Sequence, residues 1–224
     1  MDELGPGALD GWIGKKLMTN VTVIGTGNIG SAVAAVATKG GAHVQLLGRD
    51  GEKAASVAAG LGATSGAVGD VLTGDIVVLA VPYDALAELA ELYGHQFDGK
   101  VVVDVTNPIN FATFDELTVP ADSSAAGELQ KQLPDARVVK AFNTNFAGTI
   151  ATGQVGDVPT TVLVAGDDDS ATQALVDLIT AGGVAAAAIG PLKRARELEA
   201  FAFLQITLAA QEIVGWGGGF ALRK

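Results

Sequence analysis

The apolar residues of this chain fall in short unbroken runs more than in alternation. "NVTVIG" (20–25), "AHVQLLG" (42–48), "GDIVVLAVP" (74–82), "KVVVDVTNP" (100–108) and "ARVVKAFN" (136–143) are rich in β-branched residues and bounded by glycine, proline or asparagine. Runs of this kind predict strands covered on both faces. Between them, "NIGSAVAAVATKGG", "GEKAASVAAGLG", "YDALAELAELYG" and "AGELQKQLP" carry helical spacing, with glycine or proline as stops. After residue 145, "TTVLVAGDDDSATQALVDLITAGGVAAAAIG" reads as strand, helix, strand, and "LKRARELEAFAFLQITLAAQEIVG" is the longest helical pattern. Strands separated by helices, joined by right-handed crossovers, predict a doubly wound α/β (Rossmann) fold on a mainly parallel sheet. We expect a nucleotide-binding unit over 18–146 and a small C-terminal α/β extension with the long helix over 147–224. The sheet could also simply extend past residue 145. "MTNVTVIG" reads as a natural start at Met18, so residues 1–17 are expected to be a leader or an expression remnant.

One turn changes the picture from fold to chemistry. Gly25, Gly27 and Gly30 form G-x-G-x-x-G between the first strand and the first helix. Gly25 suits the tight turn, Gly27 leaves room for a pyrophosphate against the backbone, and Gly30 lets the helix pack closely on the sheet. The helix start then offers the N–H groups of Asn28 and Ile29, and its dipole favours an anion.

The end of the second strand bears on which dinucleotide is taken. NAD binders carry Asp or Glu there to accept bonds from the ribose hydroxyls, and that carboxylate repels a 2′-phosphate. Here the position falls on Gly48, followed by Arg49, with Lys53 four residues further on. A guanidinium binds phosphate through paired hydrogen bonds, so NADP(H) is the better ligand. Two other readings stay open: Arg49 and Lys53 as solvated surface charges, and Asp50 facing a ribose.

Ligands of open parallel sheets sit beyond the carboxyl ends of the strands. Three further ends are therefore expected at the crevice: "AVPY" (Ala80, Val81, Pro82, Tyr83), "TNP" with Asn107, and "FNTNFA" with Asn143, Asn145 and Ala147. Uncharged asparagines and threonines can hydrogen-bond a carboxamide, and they also serve as turn formers and caps. No convincing proton donor stands out. Lys140 lies in a buried strand pattern and could point outward, and Lys193 and Arg194 open the last helix as solvated charges.

Composition excludes more than it selects. The chain has 224 residues, a net charge of −11 and no cysteine. Disulfides, zinc–thiolate sites and thiol catalysis are thereby excluded, and a nucleic-acid backbone or an anionic membrane would be repelled. The two histidines, His43 and His95, are expected at the surface, so no metal site is expected. "DDD" at 167–169 is expected to cap the following helix. No apolar run suits a membrane span and no signal peptide is read, which makes the cytoplasm the expected compartment.

The motifs together resemble a known family, the NADPH-dependent reductases of the deazaflavin coenzyme F420. The resemblance runs from Met18 almost to the end. It is carried by "GTGNIG", "GRDGEK", "DIVVLAVPY", "VAGDDDS", "GPLKRARELEA" and the glycine-rich "GWGGGF". It implies Thr26 to Ile29 at the pyrophosphate, and Gly48, Arg49 and Lys53 around the 2′-phosphate. It also implies Asn145, Ala147 and Gly219 near the nicotinamide, F420 as co-substrate, and a homodimer. Two positions depart from the family pattern: Tyr83 stands where tryptophan is frequent, and Asn143 where some members carry histidine. Both lie near the expected acceptor. Few residues remain after the nucleotide unit for a large helical domain with its own proton donor. That favours a flat redox partner whose ring system carries the electronic work. Reduction of another acceptor (flavin, ferric chelate or imine) and a non-catalytic NADP sensor are the alternatives.

Overall fold

The computed structural model describes residues 19–223; the expected leader over 1–17 and the start at Met18 lie outside them. The first half follows the pattern read from the sequence. Strand β1 (Asn20–Ile24) leads through the glycine turn into helix α1 (Asn28–Lys39), β2 (His43–Gly48) and α2 (Gly51–Leu61). β3 (Thr64–Ala67) follows, then β4 (Ile76–Leu79), a 3₁₀ turn at Tyr83–Ala85, and α3 (Leu86–Tyr93). β5 (Val101–Asp104), α4 (Ala125–Gln132) and β6 (Arg137–Lys140) complete the run of parallel strands.

After β6 come a short helix α5 (Ala147–Thr152), a small hairpin of β7 (Gln154–Val155) and β8 (Val158–Pro159), and then β9 (Thr161–Gly166). Helix α6 (Asp169–Ala181), β10 (Ala185–Ala188) and α7 (Ala195–Ala210) follow. Eight strands form one sheet in the order β10-β9-β6-β5-β4-β1-β2-β3. Neighbours are parallel except β6 and β9, which meet antiparallel at Val139↔Gly166 and Lys140↔Ala165. The sheet thus extends past residue 145, and β9 and β10 form its far edge.

Two cores lie on the two faces, as a doubly wound sheet requires. Val21, Val23, Val78, Val103 and Val139 point toward α1, α5 and α6. Ile24, Val77, Leu79, Val102 and Val138 point toward α3, α4 and the start of α7, against Leu89, Phe97, Leu129 and Ala195. Each fully buried Val or Leu contributes about 1.5–3 kcal/mol, which explains why the strands read as unbroken apolar runs. Asp104 and Lys140 follow the register of Val102 and Val138, so their side chains enter the second core. The strand order reverses between β1 and β4, which places a crevice at their carboxyl ends.

The helix ends follow local chemistry. Asp50 caps α2 by accepting from the Lys53 N–H at 3.0 Å, and Gly62 closes that helix in the left-handed region. Asp168 caps α6 by accepting from the Ala171 N–H at 2.8 Å, while Asp167 accepts from Leu192 N–H at 2.9 Å. Asp167 and Asp168 are therefore committed to backbone donors, and Asp169 stands in the first turn of α6. Among the described residues no helix is long and apolar enough to cross a membrane.

Candidate functional site

The glycine turn assigns a separate role to each of its three glycines. Gly25 has φ +121°, and a Cβ there would lie 2.0 Å from the Ala80 carbonyl oxygen. A Cβ on Gly30 would lie 2.0 Å from the Gly25 carbonyl oxygen. Both glycines are thus required by backbone packing at the end of β1, where Ala80 beyond β4 donates to Ile24 and Gly25 donates to Leu47 of β2, both at 2.8 Å. Gly27 differs: a Cβ there would meet nothing within 4 Å. It is the N-cap of α1, makes no side-chain cap, and the first turn carries no acid. The helix start therefore faces open space with uncapped N–H groups, the geometry that receives an anion.

Gly48 ends β2 directly beside this turn. A Cβ on it would sit 2.8 Å from Thr26 Cγ2 and 3.2 Å from Ala54 Cβ, so the closeness of Thr26 accounts for the small residue. Arg49 and Lys53 are exposed and join no ion pair among the described residues. The Asp50 carboxylate is occupied by the α2 N-terminus. Thr26, Asn28 and Ile29 line the turn, with Asn28 exposed and Ile29 packed partly against the first core.

The next strand end continues the rim. Val81 and Tyr83 are half-buried against the second core and Pro82 is exposed. Burial pushes the Tyr83 phenol above its ordinary pKa, and the negative charges of Glu128, Glu199, Asp104 and Asp84 push it the same way.

The ends of β5 and β6 meet through their asparagines. Asn107 Nδ2 donates to the Asn143 carbonyl at 2.9 Å, and Asn143 Nδ2 donates to Asn107 Oδ1 at 3.0 Å. Asn145 Nδ2 donates to Thr160 Oγ1 and the Thr161 carbonyl, both at 3.2 Å. After these bonds Asn143 Oδ1, Asn145 Oδ1 and Thr106 Oγ1 are buried without a partner. Buried polar atoms are nearly always paired, so these three orphans just beyond the ends of β5 and β6, closed to solvent as they stand, suit a ligand that brings donors. A carboxamide does so. Phe142 sits at φ +63°, a rare conformation for a bulky residue, in the same loop.

The C-terminal tail reaches this loop through Gln205 of α7. Its Nε2 donates to the Thr144 carbonyl and its Oε1 accepts from Phe220 N–H, both at 3.0 Å. Gly219, at φ +122°, lies against the same amide. Ala147 begins α5 and packs partly on the first core, and the Phe146 ring meets Trp216 edge-on at 5.0 Å. The expected residues thus fall into two groups. Gly25 to Gly30, Gly48 and Ala80 touch one another; Asn107, Asn143 and Asn145 line one edge, and Gly219 joins that edge through Gln205. Arg49 and Lys53 project from the rim without bonding to either group. His43 and His95 are exposed, and Arg194 pairs with Glu197 at 2.9 Å.

Lys140 does not point outward as its strand position allowed. It is fully buried, and its Nζ donates to Asp104 Oδ2 at 2.8 Å and to the Thr106 carbonyl at 2.7 Å, with Glu199 Oε1 also at 2.7 Å. Burial opposes its charge, but the two carboxylates outweigh burial and hold the ammonium pKa above the usual value. The Glu199 carboxyl is pushed up by burial, against the pull of Lys140. Asp104, Glu199 and Gln205 were not read from the sequence. The available signal was a pair of opposite charges, "VVVD" and "VVK", closing two adjacent strands.

Residues 20–108 match the family described as NADP oxidoreductase, coenzyme F420-dependent. An F420-dependent NADP reductase from Methanocaldococcus jannaschii is 32% identical over 139 residues, covering 60% of this chain and 62% of that protein. The chain thus spans less than two thirds of this relative. The crystal structure of a hypothetical protein from Sinorhizobium meliloti is 30% identical, with a TM-score of 0.69, covering 78% of this chain and 86% of that one. A proposed F420-dependent NADP reductase from Arthrobacter sp. FB24 shares the fold, with a TM-score of 0.79 at 22% identity over 92% of this chain and 100% of that one. Over residues 20–108 the chain is thus similar to the family of coenzyme F420-dependent NADP oxidoreductases.

Proposed function

We propose that the protein exchanges a hydride between NADP(H) and the deazaflavin coenzyme F420. The observation that carries the NADP(H) assignment is the end of β2. Gly48 brings no carboxylate to the ribose, Asp50 is held as a helix cap, and Arg49 and Lys53 remain as exposed cations beside the turn. Thr26 to Ile29 would hold the pyrophosphate on the α1 N-terminus, and the orphan oxygens of Asn143 and Asn145 would accept from the carboxamide N–H₂. The nicotinamide and the deazaflavin supply the chemistry as hydride donor and acceptor. The protein's part is alignment of two flat rings at near contact, which can account for much of a rate. Lys140 has its donors committed to Asp104, Glu199 and Thr106, so it is no proton source for the acceptor. That supports a partner whose reduction needs no lysine donor.

The F420 assignment rests on the family match over residues 20–108 and on the activity named for the Methanocaldococcus relative. A homodimer is part of the same proposal, and the mass in solution tests it. The deciding assay mixes NADPH with oxidised F420 and follows the F420 absorbance. Conversion supports the assignment. Tight NADPH binding without conversion would remove F420 and direct the search to flavin, ferric chelate and imine acceptors. Weaker binding of NADPH than of NADH would remove the NADP(H) assignment.

A further inference from the structure

We propose that Lys140 is a positioning residue: clasped between Asp104 and Glu199, it sets the place of the nicotinamide end by fixing Thr106 and, through it, the Asn107–Asn143 pair. This rests on the NADP(H) reading above.

The geometry is a two-storey link between neighbouring strands. Below, Asp104 and Lys140 are register partners on β5 and β6, both fully buried, and their side chains meet at 2.8 Å. Above, three residues beyond the end of each strand, Asn107 and Asn143 exchange two hydrogen bonds. Thr106 connects the storeys. Its N–H donates to Asp104 Oδ1 at 2.8 Å, and its carbonyl accepts from Lys140 at 2.7 Å. The backbone is thus held from both sides at the residue before Asn107, leaving little freedom at the orphan oxygens of Thr106 and Asn143.

Glu199 makes this clasp independent of the strands alone. It reaches from α7 to Lys140 at 2.7 Å, and it accepts from the N–H groups of Ala125 and Ala126 at 2.9 and 3.5 Å. The network holds two carboxylates and one ammonium, and the first turn of α4 faces the excess negative charge. Ser124 takes the Gly127 N–H, so the two donors left to Glu199 are those the cap does not use.

Stability alone gives a weak reason for such a network. Apolar residues of similar volume often serve a core as well as a buried ion pair, because desolvation offsets attraction. What the ions add is direction: three acceptors at 2.7–2.8 Å fix Nζ to one place, and reactive geometry is sensitive to small displacements.

The test compares two probes of the same site, NADP⁺ and 2′,5′-ADP. The second keeps the adenosine and its 2′-phosphate but has no nicotinamide. In Asp104→Asn one side-chain orientation keeps the Thr106 N–H bond and turns the amide donor on Lys140, and the other loses the Thr106 bond. Either way the clasp opens, while Lys140–Glu199 remains as a neutral pair. We expect the Kd for NADP⁺ to rise about tenfold, the equivalent of one lost hydrogen bond, with the Kd for 2′,5′-ADP unchanged. Glu199→Gln removes one of the three anchors and should move NADP⁺ the same way by a smaller factor, again sparing 2′,5′-ADP. If, in either folded variant, both ligands keep their wild-type affinity or weaken by the same factor, the network does not position the nicotinamide and the proposal fails. Failure of both variants to fold would make the network a folding determinant and would equally overturn it. If the wild type binds neither probe, the NADP(H) reading itself is wrong.

Discussion

Substituting alanine at two glycines of the same turn should give opposite phenotypes. Gly27→Ala places a Cβ that meets nothing within 4 Å, at a residue with φ −76° that any amino acid adopts. Alanine is a poorer N-cap than glycine by roughly 0.5–1 kcal/mol, which lowers Tm by about 1–4 °C for a domain of this size. The added methyl, however, stands in the space where a pyrophosphate would lie on the N–H groups of Asn28 and Ile29. Displacing the phosphate from one or both charge-assisted bonds costs about 1.5–3 kcal/mol, so the Kd for NADPH should rise roughly ten- to hundredfold. Gly25→Ala puts its Cβ 2.0 Å from the Ala80 carbonyl at φ +121°, and the β1–β4 seam must open to receive it. That protein should fold poorly or lose several degrees of Tm. The assay is thermal unfolding beside fluorescence titration with NADPH. A Gly27→Ala protein that binds NADPH as the wild type does would show that no phosphate runs over this residue, and the site as drawn would be wrong.

Arg49→Ser should lower the preference for NADPH over NADH about ten- to hundredfold, the worth of a charge-assisted pair to phosphate, with NADH affinity nearly unchanged. Equal losses for both nucleotides would show that Arg49 does not recognise the 2′-phosphate. Stability should also fall at alkaline pH. The folded state holds the Lys140 pKa above its ordinary 10.5, so its contribution is complete below 10.5 and is lost as pH rises through the higher folded value. The Tyr83 and Tyr93 phenols, raised by burial above 10.0, act in the same direction over a similar range. Lys140→Met strands two buried carboxylates, should cost about 3–5 kcal/mol at neutral pH, and should flatten the alkaline limb in urea unfolding; a limb of unchanged slope would contradict the assignment.

The parts of the molecule legible in the sequence are those decided within a few residues. Apolar runs marked β1, β2, β4, β5 and β6, because a strand covered on both faces has no polar alternation to hide it. Gly25, Gly27 and Gly30 announced the turn, and Asp168 announced a cap. β3 was not legible: "TSGA" is short, and its four residues are exposed or half-buried at the sheet edge. The same holds for the hairpin of β7 and β8, which packs few side chains. The antiparallel meeting of β6 and β9 is a property of the chain's path and leaves no local mark. The charged network shows the limit most clearly. In a linear reading Lys140 is a polar residue in an apolar strand, free to turn outward. Its burial is decided by Asp104, 36 residues earlier, and by Glu199 on a helix 59 residues later. Neither carboxylate is exceptional alone, and only the shared face of β5 and β6 makes the three groups one unit. The orphan oxygens of Thr106, Asn143 and Asn145 follow the same logic. A sequence can show that polar residues end a strand, but whether their last acceptor is satisfied depends on every neighbour the fold brings. For that reason the part of the candidate site built on one turn and one strand end, proposed for the adenosine, lies open to a linear reading, whereas the part assembled from β5, β6, α7 and the tail, proposed for the nicotinamide, does so only in pieces.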